Sequence, residues 1–186
     1  MSLMLLGILN SQAAGGGGSA YDLLETTTLT SSASSVTFSG LGSYSDYAHL
    51  QLRMVSRSSA ATSNANINLN FNGDTGTNYA THDMEGNGSS VGSGSAASIA
   101  NIRVAQNVGT SIADAWPAAV IDILDFSSGS KNTTTRALNG WASSSIPRIY
   151  LRSGLWIDTS AVTSMSFALS SGDFIVGSRL SLYGVK

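Results

Sequence analysis

The chain has 186 residues, 42% of them hydrophobic, and this length is typical of one domain with a single core. Only 11% are charged, nine basic and eleven acidic for a formal net charge of −2, and no cluster of Lys or Arg could follow a phosphate backbone, so a nucleic-acid partner is not expected. Cysteine is absent, which excludes disulfides and thiolate metal sites.

The chain opens with a run of large apolar side chains, and a run of glycines follows. The apolar residues are Leu3, Met4, Leu5, Leu6, Ile8 and Leu9, and the glycines are Gly15, Gly16, Gly17 and Gly18. The run lacks the basic start of a signal peptide and is much shorter than the ~20 residues that cross a bilayer, so no membrane span is expected. Residues 1–20 are predicted to form an extended N-terminal arm, with the glycines as its hinge and linker.

The predicted arm gains little by becoming ordered on its own. Burying five of its large side chains would yield about 8–15 kcal/mol, whereas fixing nine residues costs about 9–18 kcal/mol. We therefore expect residues 3–9 to dock on a neighbouring subunit or partner, where several arms act together through their raised effective concentration. The alternative is that the run completes a sheet of its own chain as a terminal strand.

From residue 21 onward, apolar residues recur mostly at alternate positions, as they do in strands with one buried face. The alternation is clearest at 47–54, 66–71, 164–169 and 179–183, and further strands are predicted at 35–39, 97–104, 119–126, 133–138 and 148–152. About ten strands joined by short polar turns predict an all-β fold, an antiparallel, jelly-roll-like β-sandwich formed as a single domain by residues 21–186. The Gly- and Ser-rich stretch 86–97 is interpreted as a long exposed loop.

The residues offer little for catalysis or for metal binding. His49 lies on the polar face of its predicted strand, where a solvated or interface role is expected, and His82 has only the scattered acids Asp74, Asp83 and Glu85 nearby in sequence. Asp122 and Asp125 would point to opposite faces of one strand, which disfavours a shared acid and base site. The sequence therefore predicts no catalytic residue, no metal site and no cofactor, and a protein that is not an enzyme.

Two tryptophans, Trp141 and Trp156, are candidate glycan-binding or interface aromatics. Aromatic faces can stack on sugar rings, and a β-sandwich can present them at its surface. Most aromatics of such a fold instead belong to its core or to a subunit interface. Both interpretations stay open at this point.

Several segments, taken in order, resemble a widespread family of small tailed-bacteriophage virion structural proteins. They include YAHLQLRMVSR, LNFNGDTGTNYATH, KNTTTRALNGW and SGLWIDTSAVTSMSF, and the most specific is the C-terminal GSRLSLYGVK. The resemblance covers nearly all of residues 21–186, and the leading LLGILNSQAAGGGG is also similar to the start of family members. It supplies no catalytic residues.

The resemblance implies a non-enzymatic β-rich component on the exterior of a phage particle. A single small domain without a fibrous stalk favours a capsid decoration (cement) protein, anchored by its arm and forming a homo-oligomer such as a trimer on the particle. Its partners would be other virion proteins, with the major capsid protein favoured over tail proteins. The alternative is a tail fibre or tail adaptor, or a glycan-binding module that recognises the host.

Overall fold

A computed structural model of the chain describes residues 19–62, 64–113, 115–143 and 146–186. The predicted apolar arm and its glycine hinge lie outside the described residues.

Twelve β-strands and one short 3₁₀ helix form the regular structure of the described residues. In chain order they are β1 (Tyr21–Thr28), β2 (Ser35–Ser39), the 3₁₀ helix (Leu41–Tyr44), β3 (His49–Val55), β4 (Ala65–Phe71), β5 (Tyr79–Gly86), β6 (Val91–Ile99), β7 (Ile102–Asn107), β8 (Ala118–Leu124), β9 (Thr133–Trp141), β10 (Arg148–Trp156), β11 (Ser164–Leu169) and β12 (Arg179–Val185). The predicted all-β fold is confirmed, and the strands predicted at 35–39 and 164–169 have the predicted bounds.

The strands form two sheets that pack face to face. The larger has eight strands in the order β1-β12-β3-β8-β9-β10-β5-β6, and the smaller has four in the order β2-β11-β4-β7. Every neighbouring pair is antiparallel. The predicted antiparallel β-sandwich is therefore confirmed, with its strands divided unequally between the two sheets.

The core lies between the two sheets and follows from the alternation along each strand. In β4 the apolar residues Ala65, Ile67, Leu69 and Phe71 are buried, while the asparagines between them are only partly buried. Successive side chains of a strand point to opposite faces, so one face of β4 supplies the core and the other meets solvent. A smaller buried cluster lies beside the main core and contains Val108, Ile112, Ala115, Trp141 and Tyr150.

The prediction of a long loop at 86–97 was wrong, because most of that stretch is the edge strand β6. β6 pairs with β5 from Gly86↔Val91 to Tyr79↔Ile99. Backbone hydrogen bonds to β5 hold this strand, whereas its small Gly, Ser and Ala side chains carry no apolar alternation for a sequence pattern to detect. The single strand predicted at 97–104 was also wrong, since the chain leaves the larger sheet after Ile99 and enters the smaller one at Ile102.

The C-terminal motif GSRLSLYGVK has a structural explanation in β12 and the turn before it. Gly177 has a φ of +87°, a left-handed conformation that glycine adopts without strain. Leu180 and Leu182 point into the core and are fully buried. At Gly184 an added Cβ would lie 2.5 Å from ring atoms of Tyr47, so only glycine fits beneath that ring. The motif thus reflects packing and backbone geometry.

Gly154 in β10 offers a test of the packing between the sheets. An alanine Cβ at this position would lie 2.5 Å from Thr135 Oγ1 and would also clash with the side chain of Ile102. We expect Gly154→Ala to lower the free energy of unfolding by about 1–3 kcal/mol, because an overfilled core strains its neighbours. Urea denaturation measures this, with Gly129→Ala as the control, since Gly129 has nothing within 4 Å of its would-be Cβ. Equal denaturation midpoints for the two variants would contradict the described packing.

Candidate functional site

The outer face of the larger sheet carries a row of exposed apolar side chains. Strand register places Val120 beside Leu138, Leu138 beside Leu151, and Leu151 beside Met84. Their exposed fractions are 38%, 53%, 51% and 54%. Paired residues of neighbouring antiparallel strands point to the same face, so these four side chains form a continuous row across β8, β9, β10 and β5.

A second apolar row runs beside the first, two residues further along each strand. In register order it consists of Val55, Ala118, Gly140, Ile149, Gly86 and Val91. Ile149 and Val91 are 57% and 76% exposed. We call the eight non-glycine members of the two rows the apolar face: Val55, Met84, Val91, Ala118, Val120, Leu138, Ile149 and Leu151.

Polar residues bound the apolar face on two sides. The next row toward the other end of the strands is polar and consists of Asp122, Arg136, Ser153, His82 and Ser95. On the side toward β12, Val120 pairs with Arg53 of β3. The Arg53 guanidinium lies 5.0 Å from the ring centre of Tyr21 and 4.5 Å from that of Tyr183. A contiguous apolar area with a polar rim is typical of an interaction surface.

An open groove of about 680 Å³ crosses the apolar face at its end near Gly140. Its apolar lining includes Val120, Leu138, Ile149 and Pro147, and Arg148 is the one charged residue among the described lining. Trp141 forms part of the wall and is 8% exposed, with its indole N–H donating to the Ile146 carbonyl oxygen at 2.7 Å. The groove is therefore suited to apolar side chains.

Of the two candidate aromatics, only Trp141 touches this groove. Trp156 is 2% exposed and lies in the core. Its ring centre is 5.4 Å from that of Phe71 and 6.4 Å from that of Tyr79. Its indole N–H donates to Asp74 Oδ2 at 2.8 Å. Burial removes Trp156 as a surface for sugar stacking, which leaves the core role that the sequence also suggested.

Asp74 is engaged in a turn and is not brought to His82. Besides the Trp156 indole, its carboxylate accepts hydrogen bonds from Asn78 Nδ2 at 3.0 Å and from the Gly76 amide at 2.8 Å. These bonds, with that of Trp156 the strongest, hold the pKa of Asp74 below its usual value. His82 lies on the outer face of β5, whereas Asp83 points inward.

His49, Asp122 and Asp125 each have local structural partners. His49 Nδ1 accepts a hydrogen bond from the Asp125 backbone N–H at 2.9 Å and lies 3.6 Å from Oδ1 of the same residue. Lys131 binds the Asp125 carboxylate at 2.8 Å and thereby lowers its pKa. Asp122 instead accepts from Gln51 Nε2 at 2.8 Å. The sequence placed both acids on one strand, but β8 ends at Leu124 and Asp125 has a φ of +50°.

Arg152 is a buried cation that the sequence analysis did not single out. Its side chain points inward from β10, is 3% exposed, and lies 4.4 Å from the ring centre of Tyr150. Burial lowers the pKa of Arg152 and raises the pKa of Tyr150 to about 12. The Arg152 Nε has no hydrogen-bond partner among the described residues. The Tyr150 hydroxyl donates to Gln106, so this polar pair belongs to the packing between the sheets.

Two broader features of the described residues bear on function. No group of three or more His, Asp or Glu side chains comes close enough together there to hold a metal ion. In the same part of the chain, no helix has the length and apolar character needed to cross a membrane.

No protein-family model, no curated protein and no solved structure matches the chain. The apolar face and the sequence pattern are thus the basis for a functional proposal.

Removing the carboxylate of Asp74 should destabilise the fold in a pH-dependent way. Asp74→Ala leaves the buried Trp156 indole without its acceptor, and we expect a loss of about 1–3 kcal/mol in the free energy of unfolding at pH 7. Because the folded-state pKa of Asp74 is lowered, its ionised form stabilises the fold above the unfolded-state value of about 3.9, and that stabilisation disappears as the pH falls through the folded-state pKa.

Urea denaturation between pH 7 and pH 2 checks this prediction. The difference between the native protein and Asp74→Ala should shrink below about pH 4. The control is Asp46→Ala, at an exposed position. A deficit in Asp74→Ala that stays constant across this range would show that the ionised carboxylate makes no special contribution.

Proposed function

We propose that this protein is a non-enzymatic structural protein of a phage particle, and more specifically a capsid decoration protein. The observation that carries the proposal is the apolar face, because such a face is costly to expose and gains free energy when a partner covers it. The resemblance of residues 21–186 to phage virion proteins supports the same conclusion from the sequence.

The polar side chains that sequence reasoning considered for chemistry support a structural role. Asp74 is held by Trp156, Asp122 by Gln51, and Asp125 by Lys131. A general acid or base must be free to reach a substrate proton, which these engaged carboxylates are not. The fold thus uses these three acids to fix turns and strand pairs.

In this proposal residues 3–9 anchor the domain to an adjoining subunit of the particle. The fourteen residues before Gly15 would alone reach up to about 45 Å at ~3.3 Å per residue. Each anchor contributes a modest binding free energy, and the contributions of many copies on one lattice add together. The major capsid protein is the favoured lattice partner, in a homo-oligomeric arrangement such as a trimer. The competing location is the tail, where the domain would serve as a fibre, adaptor or host-recognition module.

Copy number distinguishes the two locations. A decoration protein follows the symmetry of the capsid lattice and should be present on the order of hundreds of copies per particle, whereas a tail component follows a single tail axis and should number about a dozen or fewer. Quantitative mass spectrometry of purified particles, with the major capsid protein as the internal standard, measures the ratio. A low ratio would move the protein to the tail.

Substitutions in the arm test the anchoring mechanism. We expect the double variant L5E/L6E to bind heads at least tenfold more weakly, because burying two leucines contributes about 3–6 kcal/mol. Co-sedimentation of the full-length variant with heads that lack the protein measures the affinity. The control is Ile157→Glu, an exposed apolar residue of the same domain. Stoichiometric binding by L5E/L6E at native affinity would contradict an apolar anchor.

A further inference from the structure

We propose that the apolar face is the binding site for residues 3–9 of a second copy of this chain. The inference rests on the proposed assembly role of the arm, and it adds the identity of the receiving surface. It does not depend on whether the protein sits on the capsid or on the tail.

The chemistry of the segment matches that of the face. Residues 3–9 read LMLLGIL and include no charged and no polar side chain. A strand with this pattern is apolar on both sides, so it needs an apolar surface beneath it and cover above it. The apolar face supplies eight exposed apolar residues, and its groove is a concave surface in which the segment can bind.

The segment and the face also agree in size. Seven extended residues span about 23 Å at ~3.3 Å each. The apolar rows cross β3, β8, β9, β10, β5 and β6, six neighbouring strands whose axes cover about 24 Å at ~4.8 Å spacing. One arm is therefore long enough to cover the width of the face.

The place where the described chain begins favours a second copy over the chain's own arm. Tyr21 pairs with Val185, and Val185 with His49, which puts the start of β1 at the strand ends opposite Ala118 and Gly140. β1 is also the far edge strand, two positions from β3 and three from β8, the strands that carry the near end of the face at Val55 and Val120. This near end on the same molecule lies about 26 Å from Ser19, from ~23 Å along the strands and ~12 Å across them.

Reaching that distance within one chain would stretch the glycine linker well beyond its relaxed length. The ten residue steps from Leu9 to Ser19 span about 33 Å when extended, but a Gly-rich segment of this length has a typical end-to-end distance of only about 17–19 Å. A second copy placed beside the first removes this constraint, because its face can lie at whatever distance the relaxed linker favours. Exchange of arms between copies is therefore the arrangement with the smaller entropic cost.

The absence of cysteine from the sequence makes a direct trapping experiment possible. Two full-length variants with different affinity tags, Leu5→Cys in the arm and Leu138→Cys on the face, are mixed without phage particles and oxidised. The tested pair should form a disulfide-linked dimer of the two tagged chains. The control pair replaces Leu138→Cys by Ile157→Cys, which is exposed to a similar degree, 52% against 53%. Ile157 directly follows the last residue of β10 and lies six residues, or about 20 Å, from Leu151.

We expect the Leu5–Leu138 pair to give at least about tenfold more mixed dimer than the control pair, because docking raises the local concentration of the two thiols. Equal yields for the two pairs would overturn the proposal. So would a predominance of Leu138→Cys homodimers, which would mean that two faces pack on each other. A third contrary result is closure of the double variant L5C/L138C within one chain, which would mean that the arm covers its own face.

A second measurement does not depend on thiol chemistry. The double variant L138E/L151E changes two exposed side chains and should keep the fold, as checked by its urea midpoint, while sedimentation shows self-association weakened at least about tenfold. Ile157→Glu should associate like the native protein. Native self-association in L138E/L151E would overturn the inference. The proposed function would still stand if L5E/L6E lost binding to heads while the trapping failed, since the arm would then bind another virion protein.

Discussion

The alternation of side chains along antiparallel strands is the constraint on which this structure depends. Each residue directed into the core places its two neighbours on the outer face, and the register of eight paired strands carries that choice across the whole larger sheet. In β4 the outward positions are asparagines, as a solvated face requires. In β8, β9, β10 and β5 the outward positions near Gly140 are apolar, although the fold needs no apolar residue there. The folding of a single chain explains the first pattern but not the second.

Exposed apolar residues are common on proteins when they are scattered, and they need no explanation there. Those of the apolar face are adjacent in register, from Val120 through Leu138 and Leu151 to Met84, and the groove beside them has little polar lining. Only 11% of the residues are charged, so few charged groups would need to be desolvated when a partner covers the apolar face. The low charge content and the apolar face both favour coverage of this surface by a partner.

The sequence predicted the sandwich because its inward residues alternate clearly, as in β3, β4, β11 and β12. It did not predict β6, where small side chains leave the backbone pairing without a pattern. The apolar face was also missed, since in β10 both Ile149 and Tyr150 are apolar in character and the alternation does not say which one faces the core. Only strand register shows that Ile149, Gly140 and Ala118 are neighbours. Long-range pairing of this kind has no signal in a single sequence.

A contact between the arm of one copy and the face of the next is heterologous, because the two partners contribute different surfaces. Such contacts either close into a ring or continue as an open chain. In the proposed arrangement each copy contributes residues 3–9 and one face, so a ring of any size satisfies all of them. A trimer meets this condition with the fewest copies beyond a dimer. In the proposed decoration role, arms that crossed between neighbouring rings would join those rings to one another.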